Sequence, residues 1–385
     1  MLDFFSDLWL AASLIGCLYL FAAAARVTRF AARRAPRAWH QPPVTILKPL
    51  YGEDATLKEN LRSFCRQDYP SFQIVFGVAD GEDPAVPIVR ALIEEFPQAD
   101  LTLVIDPMQR GANLKVANLR NMLPAARYDL LVMADSDMRV APDYLTAVTA
   151  PLAVPPSAGP ETGLVTCLYR GISAGGLCSD LAALHINHGF LPQAVLADSG
   201  GLGAGCFGAT MALRRATLEA VGGFEALADT LADDYVLGQA VRRLGLGVTL
   251  SPHLIDDIVA EPGFAALFRH ELRWARTVRL AAPWGYLGSI VTYPVPLALI
   301  GWLLGARPVA AAILVLALFC RAWSARRLDH ALGLRRASLW LLPLRDLLSF
   351  AVFAASFLGR SVAWRDRKFR VSPSGQLSID GESPV

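Results

Sequence analysis

The residues able to do chemistry are mostly aspartates that end apolar runs. LLVMADSDM (residues 130–138) closes on Asp135 and Asp137, one residue apart. Two carboxylates at that spacing can jointly hold a hard divalent cation, Mg²⁺ or Mn²⁺, that substrate phosphates also bind. They can equally cap the helix that starts after the proline of RVAPDYL. A second acidic pair, Asp233 and Asp234, opens DDYVLGQAVRRLG. That pair either stabilises a helix N-terminus, worth ~0.3–1 kcal/mol per acid, or holds a general base near the metal corner. Asp80, in GVADGEDPAV, is a turn residue or a nucleotide contact, and Asp-Gly marks a loop on both readings. The glycine-rich stretch 200–208 (GGLGAGCFG) lacks the strand and helix of a dinucleotide fingerprint. A backbone passing close to a ligand, a bulged strand approach or a plain loop fits it. His188, in HINHGFLP, is more readily a structural histidine than a functional one.

These residues need a scaffold, and the sequence supplies one. VTILK, QIVFGVA, LTLVI and DLLVMA alternate with ATLKENLRSFCRQ, PAVPIVRALIEEF and NLKVANLRNML. Strand and helix in this rhythm predict an α/β domain with a parallel sheet. Such sheets bind ligands beyond the carboxyl ends of their strands, where Lys48, Asp80, Asp135 and Asp137 fall.

The rest of the chain speaks for a membrane. Of 385 residues 54% are hydrophobic and 18% charged, and the mean hydropathy is +0.38. Residues 8–25 carry no charge and can cross the ~30 Å hydrocarbon core as a helix. Asp3 and Asp7 precede this run, and Arg26, Arg29, Arg33, Arg34 and Arg37 come after it. That order argues against a cleaved signal peptide and places the chain beyond Arg26 on the cytoplasmic side. Residues 281–305 are a second spanning candidate, kinked by Pro283, Pro294 and Pro296; 308–320 is short for a span; and 339–358 is interrupted by Arg345 and Asp346. Two to three further membrane segments are expected, the last re-entrant or interfacial. The basic tail at 364–371 favours the cytoplasm, whereas three C-terminal spans would place it outside. In FRHELRWARTVR (268–279), Arg269, Arg273 and Arg276 recur at helical spacing, as on a basic helix lying on a membrane surface. An arginine beside Trp274 also has the geometry for a diphosphate. The net charge of +2 leaves no nucleic-acid footprint, and six cysteines without a C-x-x-C pair read as reduced thiols.

The order of these motifs resembles membrane-bound, inverting glycosyltransferases of GT-A fold, whose pattern is D, D-x-D, D and (Q/R)-x-x-R-W. ILKPLYGEDATLKENLRSFCRQDYPSFQIVFGVADGEDPAV, NLKVANLRNMLPAARYDLLVMADSDMRV and GGFEALADTLADDYVLGQAVRR resemble the ceramide glucosyltransferase family and its bacterial hopanoid-associated relatives. The resemblance runs from about residue 44 to 279. It implies a GT-A catalytic domain at 41–270, an N-terminal anchor and basic linker at 1–40, and an interfacial helix with membrane segments and basic tail at 271–385. It implies transfer of glucose or N-acetylglucosamine from a UDP-sugar to a lipid acceptor, ceramide or a hopanoid polyol, in a multi-pass inner-membrane protein whose catalytic domain faces the cytoplasm.

Residue by residue, the resemblance puts Asp80 on the uridine part, Asp135 and Asp137 on a metal and the diphosphate, and Lys48 and Lys115 along the nucleotide. Asp234 matches the catalytic base, with Asp233 beside it, and Arg273 and Trp274 match the R-W pair. His270 stands where that motif has Gln or Arg, and His188 falls near an acceptor-side histidine. Three rivals share features of this pattern. A processive polysaccharide synthase would carry more membrane helices, a nucleotidyltransferase would release pyrophosphate, and a non-catalytic binding protein would not need the acids.

Overall fold

The computed structural model describes residues 2–36, 40–52, 55–154, 159–199, 205–359 and, as backbone, 361–364, 367–371 and 377–379. Most of the 200–208 stretch and part of the basic tail therefore lie outside the described residues. The chain opens on helix α1 (Leu2–Ala31). It then alternates β1 (Val44–Pro49), α2 (Leu57–Cys65), β2 (Phe72–Val78), α3 (Ala85–Glu95), β3 (Asp100–Ile105), α4 (Leu114–Met122) and β4 (Leu130–Ala134). Next come β5 (Met138–Arg139), α5 (Tyr144–Ala153), β6 (Thr162–Ser173), α6 (Leu177–His185), a π turn at Ile186–Phe190, and α7 (Leu191–Ser199). The remaining elements are β7 (Thr210–Arg214), α8 (Arg215–Ala220), α9 (Asp233–Arg243), β8 (Gly247–Val259), α10 (Phe264–Ala281), α11 (Pro283–Gly288), α12 (Pro294–Leu304), α13 (Pro308–Ala331) and α14 (Leu341–Ser356).

Two compact units result, each assembled from separated stretches. One comprises Arg34–Ile172, Ala204–Ile258 and Trp364–Val385, and the other Met1–Arg33, Ser173–Gly203 and Val259–Ala363.

The first unit is built on an eight-stranded sheet in the order β3-β2-β1-β4-β7-β6-β8-β5. β1 pairs in parallel with β2 and β4, and β2 with β3. The expectation of a parallel sheet holds for these four strands only. β7 runs antiparallel to β4, from Leu130↔Arg214 to Ala134↔Thr210, so the sheet is mixed. Strand alternation sorts the side chains of β4 onto two faces. Leu130, Val132 and Ala134 join Phe64, Val89 and Tyr144 in one core, while Leu131 and Met133 join Val116, Met122, Leu237 and Val241 in the other. α4 and α9 thus share the face of Leu131 and Met133.

The second unit holds the apolar helices. α1 and α13 are long and apolar enough to cross a membrane, and α11 with the turn after it forms with α12 a pair bent by 69°, a third span if the pair counts as one. The bend falls where Pro294 removes a backbone donor at the start of α12. Ser13 Oγ donates to the Pro294 carbonyl at 2.9 Å and so ties α1 to the chain at the break. The 308–320 run, expected to be short for a span, belongs to a helix of 24 residues that continues to Ala331. It can continue because its buried charges are paired: Arg321 with Asp346 at 2.7 Å and Asp329 with His188 at 3.1 Å. α14 has 16 residues and buries Arg345 and Asp346, the two charges that interrupt its apolar pattern. All six cysteines are free thiols.

Candidate active site

Continuing the alternation one residue beyond β4 turns Asp135 toward the face of α4 and α9. Each of those helices supplies a charge there. Lys115, in the first turn of α4, reaches Asp135 Oδ1 at 2.5 Å and donates to the Gly208 carbonyl at 3.4 Å. Asp234, in the first turn of α9, accepts from the Gly208 amide at 2.8 Å through Oδ2 and from the Tyr235 amide at 2.7 Å through Oδ1. Gly208 therefore touches the lysine with its carbonyl and the acid with its amide. A Cβ at this position would lie 3.3 Å from both charged side chains, so a side chain here would crowd them. Sequence reading marks the glycine-rich stretch without singling out Gly208.

Lys48 comes from the opposite face of the sheet. Its ammonium lies 3.8 Å from the centre of the Phe64 ring and donates to the Asp135 carbonyl. Burial pulls this ammonium down to about 7, although Asp137 and Asp135 nearby favour its charge. Asp137 keeps solvent exposure, yet the protein packed around it and the Asp135 charge push its carboxyl up to about 6. Its backbone is fixed, since its carbonyl accepts from Asn60 Nδ2 at 3.2 Å and from the Ile258 amide at 3.4 Å. Burial and the neighbouring Asp233 raise Asp234 to about 6 as well. Burial also raises Asp233 above the usual carboxylate range, with Lys115 opposing. Burial works against the Lys115 charge, but Asp135 and Asp233 outweigh it and raise its pKa.

Four carboxylates thus gather around two lysines, a shortfall of two positive charges when all are ionised. The donors fit a hard divalent cation: carboxylate oxygens, one of them pushed up to about 6 by burial and by the Asp135 charge. Among the described residues no three His, Cys, Asp or Glu side chains form a metal cluster. The protein would supply Asp135 and Asp137, leaving the other positions to substrate oxygens and water. Neither aspartate caps the next helix, whose N-cap residue is Asp143.

Asp80 is an exposed residue just beyond β2, where Oδ1 accepts from the Glu82 amide at 3.0 Å, as a turn residue does. Arg273 and Trp274 belong to the other unit, on α10. There His270 Nδ1 lies 2.8 Å from Glu261 Oε1, and its ring meets Trp274 edge-on at 4.4 Å. His188 is buried in that unit against Asp329. Sequence reading misses Asn113, which is fully buried and touches the starts of both α4 and α9. Its signal was available, because Asn before an amphipathic run is an N-cap signature.

The sequence profile of glycosyl transferase family 21 matches residues 8–377. Ceramide glucosyltransferase 1 of Caenorhabditis elegans is 27% identical over 237 residues, covering 61% of this chain and 49% of that protein. Ceramide glucosyltransferase 3 of the same organism is 24% identical over 366 residues, covering 87% and 74%. The chain thus spans about half the length of the first of these relatives. Among solved structures, the mannosyltransferase PcManGT from Pyrobaculum calidifontis, in complex with GDP-Man and Mn²⁺, superposes with a TM-score of 0.55 at 22% identity, covering 93% of this chain and 99% of that one. At that identity the likeness establishes the fold, which is GT-A-like.

Proposed function

The chain belongs to glycosyl transferase family 21, and on that premise we propose that it moves a sugar from a UDP-sugar to the hydroxyl of a membrane lipid, with inversion at the anomeric carbon. The observation that carries this reading is the meeting of two acidic pairs, one past β4 and one opening α9, around Lys115 and Gly208. In it Asp135 and Asp137 face the leaving group and Asp234 serves the attacking hydroxyl.

A lipid hydroxyl ionises far above neutral pH and needs a positioned base as it attacks. Asp234, raised to about 6 yet still mostly ionised at neutral pH, is a stronger base than an ordinary aspartate. It takes the hydroxyl proton while the oxygen forms its bond to the anomeric carbon. The bond from that carbon to the diphosphate oxygen breaks, and UDP leaves with the electron pair. With a single displacement and no carboxylate nucleophile, an α-linked donor yields a β-linked product. Lys48 and Lys115 supply positive charge beside the diphosphate. A divalent cation held by Asp135 and Asp137, Mg²⁺ or Mn²⁺, would supply Lewis-acid neutralisation of the developing negative charge. Asp80 is assigned to the uridine part, and Arg273 and Trp274 to the leaving group, on the family resemblance.

The ceramide glucosyltransferase relatives support a lipid acceptor, and the apolar helices support a place in the membrane. The arginines after α1 favour a cytoplasmic catalytic unit. In this reading the protein sits in the inner membrane, its acceptor is a hopanoid polyol or ceramide, and its donor sugar is N-acetylglucosamine or glucose. Asp234→Asn tests the assignment: UDP binding by calorimetry should persist while transfer of radiolabelled sugar to lipid extract disappears. Transfer at the wild-type rate by this variant overturns it. Mass spectrometry of the lipid labelled from each UDP-sugar identifies donor and acceptor together.

A further inference from the structure

The two helices that present Lys115 and Asp234 come from distant parts of the chain, and one side chain touches the starts of both. Asn113 is fully buried. Its Oδ1 caps α4, accepting from the Lys115 amide at 3.0 Å and the Val116 amide at 3.1 Å. Its Nδ2 points the other way, to the Thr230 carbonyl at 2.9 Å and Asp233 Oδ1 at 3.3 Å. The backbone joins the same seam: the Asn113 amide donates to the Ala228 carbonyl at 2.8 Å, and the Ala112 amide to Asp229 Oδ1 at 2.8 Å. Gly111 makes this approach possible. Its φ is +93°, in the region that favours glycine, and a Cβ there would lie 2.6 Å from the Ala228 carbonyl oxygen.

An N-cap needs only an acceptor, and Asp, Ser and Asn serve almost equally well. The amide nitrogen is what capping leaves unexplained, and it is spent on the segment that leads into Asp233 and Asp234. We propose that Asn113 is a positioning residue for transfer, tying the start of α4 to the start of α9 so that the Lys115 ammonium and the Asp234 carboxylate keep one separation. The proposal rests on the reading of Asp234 as the base. Asn113 itself touches no reacting atom. It acts through Asp233, whose carboxylate it holds, and through the first turn of α4, which it caps.

Asn113→Asp separates this role from capping. It keeps the cap acceptor, removes both donors, and sets a second negative charge against Asp233. The expected result is a fall in kcat of roughly tenfold or more, in line with the sensitivity of transfer to misplacement of about 1 Å, with KM for the UDP-sugar unchanged and a lowered melting temperature from the second buried charge. Adding Asp233→Asn restores a donor–acceptor pair with the roles exchanged and should recover most of the lost kcat. Wild-type kcat in Asn113→Asp, or a loss that Asp233→Asn leaves unrelieved, overturns the proposal. If the Asn113→Asp chain does not fold, Asn113→Ser replaces it: the hydroxyl still caps but cannot reach Thr230, and kcat must fall likewise or the proposal fails. Asp234→Asn is assayed in parallel. If it transfers sugar, the reading of the base has failed; if it is inactive while Asn113→Asp is wild-type, the reading stands and only the proposal falls.

Discussion

Both units bury charge, and they do it in opposite ways. Among the described residues each buried carboxylate of the membrane-helix unit meets a basic side chain, Asp329 meeting Arg326 at 3.6 Å as well as His188. Glu271 meets Arg345 through two bonds of 2.6 and 2.7 Å, and the guanidinium also donates to Ser349 Oγ and the Leu181 carbonyl. Arg321 pairs with Asp346 and His188 with Asp329. In the sheet unit Asp135, Asp137, Asp233 and Asp234 share Lys48 and Lys115. The same residue types make a closed lattice in one place and an open, charge-deficient one in the other. Paired charges hold helices together, whereas carboxylates that outnumber their cations leave room for the metal and the proton of the proposed reaction. Burial alone therefore does not distinguish the proposed site from the rest of the molecule, and the ratio of acids to cations does.

The largest effect should come from breaking the closed lattice. Arg345→Met strands Glu271 in an apolar interior and should cost about 3–5 kcal/mol, seen as an earlier thermal transition in detergent. Adding Glu271→Gln removes the stranded charge and should restore most of that loss. A double variant as unstable as the single would show that packing, and not charge pairing, is what matters there. Breaking the open lattice should affect rate more than stability. Lys115→Met removes the cation that Asp135, Asp233 and Asp234 share, and transfer should fall on the order of 10²-fold, as when a preorganised electrostatic partner is lost. The freed Asp135 should also bind Mn²⁺ more tightly, measured by electron paramagnetic resonance without nucleotide. Weaker Mn²⁺ binding would mean that Lys115 supports the cation site instead of competing for it.

The open lattice was largely legible in the sequence and the closed one was not. Asp135, Asp137 and the Asp233–Asp234 pair sit at element ends, and strand alternation with N-terminal helix signals locates such ends locally. What the sequence could not show is which face each acid takes once β7 runs antiparallel beside β4, because that pairing joins residues some eighty positions apart. Gly208 and Asn113 gain their meaning only from that long-range closure. In the membrane-helix unit the partners are as distant: Arg345 and Asp346 read as interruptions of an apolar run because Glu271 and Arg321 are invisible from there. The length of α13 was underestimated for the same reason, since the apolar run stops at Cys320 while the helix continues through charges whose partners lie elsewhere.

The acid pair on α9 allows a finer cut through the open lattice. As the proposed base Asp234 must be ionised to accept a proton, and burial and Asp233 hold its carboxyl at about 6. kcat/KM should therefore rise as pH increases through about 6 and level off above it. Asp137 titrates near the same value, but its neighbours are Asp135, Lys48 and Lys115, not Asp233. Asp233→Asn removes a like charge from Asp234 only, so the acidic limb should move to lower pH. A limb that stays in place would assign the pH dependence to Asp137.

The smallest effect comes from a pair that belongs to neither lattice. Arg127 Nη1 lies 2.8 Å from Asp100 Oδ2 beside β3, a separation as short as those among the membrane helices, but 65% of the arginine side chain is exposed. Water screens such a pair and competes for both partners, so Arg127→Ala should change stability by less than about 1 kcal/mol and leave transfer untouched. A loss comparable to that of Arg345→Met would mean that distance, and not desolvation, ranks the ion pairs of this molecule. The contrast between the two lattices would then need another cause.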